Sequence, residues 1–348
     1  MVDRLLRIAI VGSSSLLGKE LVDALSESAL GGASFTLLDE EQVAGQMAVA
    51  GNEAAFIQRI DAGSFDGMDL VFFAGDAAVT QRHWKSARQA SAKVVDLSHA
   101  LAGVPDAQLR APWLATSHGK DAAGAASSAI ATIQAAHPAA LLLALLSTRL
   151  EAKFDVLNLS ATLLLPASEF GRAAMDELHQ QTIRLLSFQS LPREEYDTQV
   201  AFNVILCPGE EAKISWKATE DRIESDLQTL SGKDSRRVGL QVLHAPVFHG
   251  YGASIFVELA ETTSTADVIA SLAGPHVTIV AANEDLPSNV SATGQDQVIV
   301  AVRSVEPAHD AGKSFKLWVA ADNLRLAALN ATACGLALLG FTPEIESK

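Results

Sequence analysis

The sequence predicts an α/β protein with a doubly wound parallel sheet, followed by an α+β domain with a mixed or antiparallel sheet. The first part of the chain alternates short β-branched runs with helix-like stretches, a pattern typical of parallel sheets. Beyond it, long strands follow one another with few helices, which favours a mixed or antiparallel sheet. The length of 348 residues exceeds what one ordinary core accommodates, so two domains are expected.

The first domain is predicted to span residues 1–128, because residues 122–128 are rich in Ala, Gly and Ser and are typical of a linker. Apolar β-branched runs predict its strands, and longer stretches with recurring apolar residues predict its helices. The predicted elements, in order, are strand Arg7–Val11, helix 19–26, strand 35–39, strand 69–74, helix 80–90 and strand Lys93–Asp96. Residues 101–118 are predicted to be irregular.

The second domain is predicted to span residues 129–324, and residues 325–348 form a segment whose helix returns to the first domain. The predicted elements are helix 132–150, strand 154–165, helix Gly171–Leu186, strands 239–248, 253–259, 277–281, 298–302 and 315–320, and helix 326–339. The charged stretch 217–237 predicts a surface helix and turn.

Composition excludes several classes of protein. A net charge of −15 argues against a nucleic-acid partner, because phosphate contacts need clustered Lys and Arg. Two cysteines give neither a disulfide framework nor metal-ligand spacing, so no metal site is predicted. The longest strongly apolar stretch, 135–146, is too short to span a bilayer, and the N-terminus lacks the pattern of a secretory signal. A cytoplasmic protein that does not enter membranes is therefore expected.

A glycine-rich loop follows the first strand and leads into the first helix. Residues 12–18 read GSSSLLG, so the first and third glycines of a Rossmann-type phosphate loop are present and Ser15 stands in place of the middle one. A Cβ at Ser15 can crowd a phosphate, whereas its hydroxyl can bond to one. The residues predicted to bind a dinucleotide are Gly12, Ser14, Ser15, Leu16, Leu17 and Gly18, together with Asp39. A scaffold loop without ligand is the alternative.

Asp39 lies at the end of the predicted second strand, where an acidic residue accepts a hydrogen bond from an adenosine ribose 2′-hydroxyl. Glu40 and Glu41 follow it and would repel a 2′-phosphate. NAD or NADP is the expected cofactor if a dinucleotide binds, and NAD is the preferred one.

Several blocks of the chain resemble aspartate-semialdehyde dehydrogenases, in the order in which that family has them. The blocks are the loop 12–18, the strand end 96–98, the TIQ sequence at 132–134, the stretch 167–178, the AFNVI sequence at 201–205 and the WVAADNLR sequence at 318–325. The last block is the most specific. The resemblance implies a Rossmann-like first domain, an α+β catalytic domain and a homodimer formed through the sheet of that second domain.

The family's chemistry needs a cysteine thiolate, a histidine base and a guanidinium that holds the substrate carboxylate. The resemblance places the cysteine at Ile130, preceded by Ala129, and the glutamine at Leu165. It places the substrate-binding arginine at His244 and the histidine base at Tyr251. The phosphate-binding and NADP-selecting arginines fall on Ala102 and near Gln42. No catalytic residue is predicted, because isoleucine cannot form a covalent intermediate.

The other side chains with reactive groups are expected to have structural roles. Cys207 and Cys334 are expected to be buried, and Ser127 and Ser128 to cap a helix or lie in a loop. His244 and His249 are predicted to lie on opposite faces of one strand, with His249 on the same face as Tyr251.

The sequence therefore predicts a degenerate, catalytically inactive relative of these dehydrogenases, a homodimer that binds a dinucleotide or another small molecule. Two alternatives stay open at this point. One is an NAD-dependent oxidoreductase of altered substrate or mechanism, and the other is a structural partner subunit of an active dehydrogenase.

Overall fold

The computed structural model describes residues 5–40, 44–50, 53–114, 130–232, 238–281, 284–305 and 311–341. The chain divides into two compact units, one formed by Met1–His137 with Ala327–Lys348 and the other by Pro138–Leu326. The predicted linker 122–128 lies outside the described residues, so the predicted division at residue 128 stays a prediction. No helix in the described ranges is long and apolar enough to cross a membrane.

The first unit is built on a seven-stranded sheet whose described strand pairs are all parallel. Its strands are β1 (Arg7–Val11), β2 (Ser34–Asp39), β5 (Gln58–Arg59), β6 (Leu70–Phe73), β7 (Lys93–Asp96), β8 (Ala107–Arg110) and β9 (Thr132–Ala135). Helices α1 (Leu16–Ser26) and α2 (Ala77–Gln89) connect them, and a separate hairpin pairs β3 (Met47–Ala50) with β4 (Glu53–Phe56). The strand order is β5-β2-β1-β6-β7-β9-β8.

Strand β1 lies between two cores, as expected for a sheet covered by helices on both faces. Ile8 and Ile10 belong to one buried cluster, and Ala9 and Val11 belong to another. Strand order reverses between β1 and β6, so the carboxyl ends of these two strands form the topological switch point where such sheets bind ligands. The predicted parallel, doubly wound architecture is confirmed.

The prediction of one helix over 132–150 is wrong. The segment forms strand β9 and then helix α3 (Pro138–Glu151). Proline lacks an N–H and disfavours helical geometry in the residue before it, so a helix cannot run through Pro138. Strand β9 is buried between β7 and β8, and parallel pairing on both sides stabilises the extended conformation of its residues.

The second unit contains a six-stranded mixed sheet in the order β11-β10-β12-β15-β14-β13. Its strands are β10 (Val156–Leu165), β11 (Gly239–His244), β12 (Tyr251–Ser264), β13 (Val277–Ile279), β14 (Val298–Ser304) and β15 (Ala311–Ala321). Its helices, besides α3, are α4 (Gly171–Leu186), α5 (Trp216–Ser231), α6 (Thr265–Leu272) and the short α7 (Asn289–Ala292). The outer pairs β10–β11 and β13–β14 are parallel and the inner pairs antiparallel, which confirms the predicted mixed sheet.

Helix α8 (Asn323–Leu339) begins in the second unit and ends in the first. It starts three residues before the predicted helix, because Asp322 accepts hydrogen bonds from the N–H groups of Leu324 and Arg325 and so begins the first turn. Helix α5 lies on the surface, as predicted for this charged stretch. It is amphipathic and buries Trp216, Ile223 and Leu227, while residues 233–237 lie outside the described residues.

Candidate functional site

The loop after β1 is shaped by two glycines that a side chain would disrupt. Gly12 has a φ of +80°, and a Cβ there would lie 2.4 Å from the Cα of Gly75. A Cβ on Gly18 would lie 2.2 Å from the carbonyl oxygen of Gly12. Both distances are far below van der Waals contact, so these positions need glycine for the turn and for the close approach of helix α1 to the loop.

Ser15 is the N-cap of helix α1. Its hydroxyl accepts a hydrogen bond from the Gly18 N–H at 2.8 Å and donates one to the Ala74 carbonyl at 2.9 Å. Both bonds lie within the loop and the end of β6, so the hydroxyl is engaged in capping the helix. If the hydroxyl bonded to a phosphate, it would have to donate its single proton there, which would cost the hydrogen bond to the Ala74 carbonyl but not the one from the Gly18 N–H.

Asp39 contacts the loop through its carboxylate. One oxygen accepts the Ser14 N–H at 3.0 Å and the other accepts the Glu40 N–H at 2.9 Å. The side chain is half-buried at the end of β2, beside the switch point. Asp39 therefore holds the loop against β2, and each carboxylate oxygen keeps acceptor capacity for a further donor.

The sequence indicates only negative charge next to Asp39, whereas the structure also brings a positive charge to this place. Arg82 of helix α2 lies 2.5 Å from a carboxylate oxygen of Glu40, and both side chains are exposed. This ion pair offsets the negative charge of Glu40, which reduces its repulsion of a 2′-phosphate. Glu41 and Gln42 lie outside the described residues.

The first turn of helix α1 offers donors to an anion. The N–H groups of Leu16 and Leu17 make no hydrogen bond within the part of the chain that the structure describes. Free N–H groups at a helix N-terminus, together with the helix dipole, form a site suited to a phosphate. The described backbone and the Asp39 carboxylate therefore fit the pyrophosphate and the ribose of a dinucleotide.

Polar contacts fix the neighbouring strand ends of the same sheet. The buried Asp96 carboxylate accepts the Ser98 hydroxyl at 2.6 Å and the Leu101 N–H at 2.9 Å. Gln134 Nε2 lies 2.5 Å from Nδ1 of His99, whose backbone is left-handed with a φ of 64°. These contacts order the carboxyl ends of β7 and β9.

Ile130 is the residue that the resemblance places at the position of the nucleophile. Its side chain is half-buried and packs against the core of the first unit that contains Ile10 and Phe72. Ala129, Ser127 and Ser128 lie outside the described residues. Ala102, the position of a phosphate-binding arginine, lies in an exposed turn. Neither Ile130 nor Ala102 carries a group that can attack a carbonyl or bind an anion.

In the second unit, the resemblance assigns the position of the family's histidine to Tyr251. Its ring is fully buried and its hydroxyl donates a hydrogen bond to Glu169 at 2.6 Å. Burial, followed by the nearby negative charge of Glu169, raises the pKa of the tyrosine well above its usual value. Tyr251 is therefore a neutral hydrogen-bond donor at physiological pH, and it cannot replace a histidine that exchanges protons near neutrality.

Asn323 connects the segments around Tyr251. Its carbonyl oxygen accepts the Ser168 hydroxyl and the Gly250 N–H, each at 3.1 Å, and its amide donates to Glu169 at 3.5 Å. The resemblance identified the block that contains Asn323 but gave it no role, and Glu169 was missed. The described contacts show that the block joins three segments of the second unit.

His244 ends strand β11 in a buried aromatic cluster. Its ring centroid lies 4.9 Å from that of Tyr196 and 6.3 Å from that of Phe170. Burial lowers the pKa of His244 to about 4, and the Leu165 backbone opposes this more weakly. The imidazole is thus uncharged at neutral pH, so it does not supply the positive charge that a guanidinium would.

Two expectations about side chains in the second unit are wrong. His249 lies in the loop after β11 and not on a strand, because the chain turns at Gly250 with a φ of +84°, so the strand alternation between His244, His249 and Tyr251 does not apply. Cys207 is exposed, two residues after Ile205, which pairs with His244 through an isolated bridge.

The prediction that Cys334 is buried is confirmed. Cys334 is buried in the core of the first unit, where burial raises the pKa of its thiol. Leu165, at the position of the family's glutamine, is fully buried at the end of β10. The exposed side chains of Lys213 and Lys217 form ion pairs with neighbouring acidic residues.

Comparison with known proteins matches both units. Residues 7–122 match the semialdehyde dehydrogenase NAD-binding domain, and residues 149–326 match the semialdehyde dehydrogenase dimerisation domain. A USG-1 protein homolog from Pseudomonas aeruginosa is 30% identical over 336 residues, which cover 96% of this chain and 98% of that protein. An aspartate-semialdehyde dehydrogenase from Prochlorococcus marinus is 24% identical over 333 residues, covering 94% of each chain.

A solved structure gives the same result. A probable aspartate-semialdehyde dehydrogenase from Pseudomonas aeruginosa is 30% identical and superposes with a TM-score of 0.83, covering 97% of this chain and 99% of that one. The two matched domains and these relatives cover nearly the whole sequence. The chain belongs to the semialdehyde dehydrogenase family.

Proposed function

We propose that this chain is a catalytically inactive member of its family, a homodimer that retains a dinucleotide-binding site and acts by binding. The observation that carries this proposal is Ile130 at the position of the nucleophile. The family's first step is attack of a thiolate on the aldehyde carbon, and a hydrocarbon side chain has no electron pair for that step.

Neither cysteine of the chain is suited to replace the nucleophile. Cys334 is buried in an apolar core that favours its protonated form. Cys207 is exposed in a loop of the second unit, at a position that does not correspond to the nucleophile motif. A nicotinamide cofactor would supply a hydride acceptor, but without a covalent adduct at this position the family's route to hydride transfer does not start.

The substitutions at the other catalytic positions support the same proposal. At His244 the guanidinium that would hold a carboxylate is replaced by a neutral, buried imidazole. At Tyr251 the base is replaced by a phenol that is hydrogen-bonded to Glu169. One change could be compensated by a neighbour, whereas four independent losses, at Ile130, His244, Tyr251 and Ala102, leave no pair of groups for acid–base or covalent catalysis.

Dinucleotide binding is supported by the loop geometry. The N–H groups of Leu16 and Leu17 would hold the pyrophosphate, and Asp39 would accept a hydrogen bond from the ribose. NAD is the preferred ligand in this proposal, because Asp39 disfavours a 2′-phosphate. The Arg82–Glu40 ion pair makes that preference smaller than the acidic run alone suggests.

The match of residues 149–326 to a dimerisation domain supports the homodimer. The six-stranded sheet has one face covered by helices of its own unit, among them α3 and α6, and alternate residues of its strands on the other face are only half-buried. Such a face is suited to packing against the same face of a second copy around a two-fold axis.

The test combines binding and turnover on one preparation. Calorimetric titration with NAD and with NADP measures the dinucleotide site, and aspartate semialdehyde with phosphate and each dinucleotide measures turnover. Mass spectrometry of the intact protein after mixing with the semialdehyde detects a covalent acyl adduct. The proposal expects NAD binding without turnover or adduct. Either turnover or an adduct would refute inactivity, and absence of binding by both dinucleotides would refute the retained site.

A further inference from the structure

Gln134 and His99 form a polar pair at the carboxyl ends of β9 and β7. Gln134 is the last residue but one of β9 and lies in register with Asp96, the last residue of β7. The described strand pairs of this sheet are all parallel, so the pair lies at the same end of the sheet as the loop 12–18 and Asp39. Open parallel sheets bind ligands outside this end, which makes the pair a candidate for ligand contact.

Only the nitrogen of the Gln134 amide is hydrogen-bonded within the part of the chain that the structure describes. Nε2 lies 2.5 Å from Nδ1 of His99, and because an amide nitrogen can only donate, Nδ1 is the acceptor. The amide oxygen, Oε1, accepts no hydrogen bond from the described residues, although the residue is only 5% exposed. A carbonyl oxygen in such a position is unfavourable and uncommon without a donor, so this position is suited to a donor from a ligand.

His99 is held in a strained conformation beside this amide. Its φ is 64°, a left-handed backbone that is unfavourable for a residue with a large side chain. The buried Asp96 carboxylate fixes the turn on both sides of His99, because it accepts the Ser98 N–H at 2.8 Å and the Leu101 N–H at 2.9 Å. Strain that neighbouring contacts maintain in this way is typical of ligand sites, and here it places the imidazole against Gln134.

Strand order indicates which part of a dinucleotide would reach this pair. The switch point between β1 and β6 is the place of the pyrophosphate, and Asp39 on β2 takes the adenosine ribose on one side of it. The other half of the ligand then extends over β6 and β7 towards β9. Strand β9 lies two strands beyond β6, or roughly 10 Å at the spacing of strands in a sheet. A ribose and a pyridine ring span a similar distance, so the nicotinamide is the part that approaches Gln134.

We infer that Oε1 of Gln134 accepts a hydrogen bond from the carboxamide N–H of a nicotinamide ring, and that His99 is the positioning residue that orients the Gln134 amide. The carboxamide is the donor that distinguishes the far end of NAD from an adenine nucleotide without the ring. This inference rests on the dinucleotide site of the proposed function and deepens it, because it names the residues that select a ligand bearing nicotinamide.

The test compares three ligands by calorimetry on the full-length protein. NAD carries the carboxamide, 3-acetylpyridine adenine dinucleotide has a methyl ketone in its place and so lacks the N–H, and ADP-ribose lacks the pyridine ring. We expect NAD to bind about fivefold or more tightly than either of the others, because both leave Oε1 of Gln134 without a donor. The acetylpyridine ligand is the sharper probe, since it keeps the ring and the charge of NAD.

Two variants assign the preference to the pair. Gln134→Met keeps a side chain of similar length without the amide, so NAD and the acetylpyridine ligand should bind within about twofold of each other, with ADP-ribose affinity unchanged. His99→Asn retains a residue that tolerates a left-handed backbone but removes the imidazole, and should reduce the preference for NAD in part. Gln108→Met, the same change at an exposed position of the neighbouring strand β8, is the matched control and should keep the full preference.

The outcomes separate this inference from the proposed function. If neither NAD nor ADP-ribose binds, the retained dinucleotide site itself is refuted. If the wild type binds NAD and the acetylpyridine ligand equally well, only the carboxamide contact is refuted, and this result does not depend on whether any variant folds. A preference that persists in Gln134→Met, or an equal loss of ADP-ribose affinity in that variant, would overturn the role of Gln134. Thermal unfolding of each variant shows that the compared proteins are folded.

Discussion

The Tyr251 hydroxyl donates a 2.6 Å hydrogen bond to the carboxylate of Glu169, and the tyrosine ring is fully buried. The resemblance to the family assigns this position to the histidine base. Here a phenol and a carboxylate satisfy each other inside the second unit, and the Asn323 amide approaches the same carboxylate oxygen. The position thus contributes to the stability of the fold, which gives a direct test.

Tyr251→Phe removes the donor and keeps the ring. We expect it to lower the free energy of unfolding by about 1–3 kcal/mol, because the half-buried Glu169 carboxylate loses a 2.6 Å hydrogen bond from a buried donor. Urea denaturation followed by circular dichroism measures the change. Tyr196→Phe is the control, since the Tyr196 hydroxyl is buried without a hydrogen-bond partner among the described residues and its removal should cost little. Equal losses in the two variants would contradict the role of the Glu169 contact.

Stability should fall as pH decreases from 6.5 to 4, in part because of His244. Above pH 6.5 the imidazole is neutral in both states and contributes no pH dependence. Below pH 6.5, His244 of the unfolded chain becomes protonated. In the folded protein burial lowers the pKa of His244 to about 4, so the imidazole stays neutral until the pH approaches that value. Once the pH is below both pKa values, this difference between them lowers the free energy of unfolding by about 3 kcal/mol.

The variant His244→Phe tests this cause. The slope of the unfolding free energy against pH gives the number of protons taken up on unfolding. We expect that number to decrease by about one between pH 6.5 and 4 in the variant. Part of the slope should remain, because burial and then the charge of Arg149 also lower the pKa of His276 to about 4. Urea midpoints at pH 8 are the reference, since His244 is neutral there in both states. An unchanged slope would show that His244 does not titrate as described.

Gly18→Ala should disrupt the loop. A methyl group there would lie 2.2 Å from the Gly12 carbonyl oxygen, which is backbone and cannot move aside without displacing the turn. We expect a loss of stability of about 2 kcal/mol or more and a loss of dinucleotide binding. Gly32→Ala, where a Cβ meets nothing within 4 Å, is the matched control for calorimetry and thermal unfolding. Wild-type affinity in Gly18→Ala would exclude this loop as the binding site.

Arg82→Gln should increase the preference for NAD over NADP. It removes the partner of Glu40 and leaves a negative charge beside the ribose position of Asp39. Because both side chains are exposed, the expected change in NADP affinity is only a few-fold, and added salt should reduce it. Calorimetry with both dinucleotides at two ionic strengths measures this. If NAD and NADP affinities fall by the same factor, Glu40 does not act on the 2′-position.

Much of the first unit could be predicted from the sequence, because its strands are short apolar runs separated by helix-like stretches. Strand β7 was predicted with its observed bounds, and Asp39 was placed correctly at the end of β2. The merged segment 132–150 could not be divided by apolar character alone, since β9 and α3 are both buried throughout. Pro138 was the local signal that could have divided it.

The polar contacts of the second unit could not be predicted in this way. Asn323 and Glu169 are 154 residues apart in sequence, and no periodicity relates them. Ser15 illustrates a second limit, because its two hydrogen bonds depend on how closely α1 approaches the end of β6. Residue type indicated that a hydroxyl was available there, whereas only the fold determines which partners it has.

The bonds of Ser15 have a consequence for the kinetics of ligand association. Because the hydroxyl joins helix α1 to the end of β6 without a ligand, contacts within the protein itself already hold the loop in place. Association then requires no ordering of backbone, so its entropy cost is restricted to the ligand, and its rate is set by diffusion and charge. Cleavage by a protease at residues 12–18 should be equally slow with and without dinucleotide, unlike in a loop that folds around its ligand.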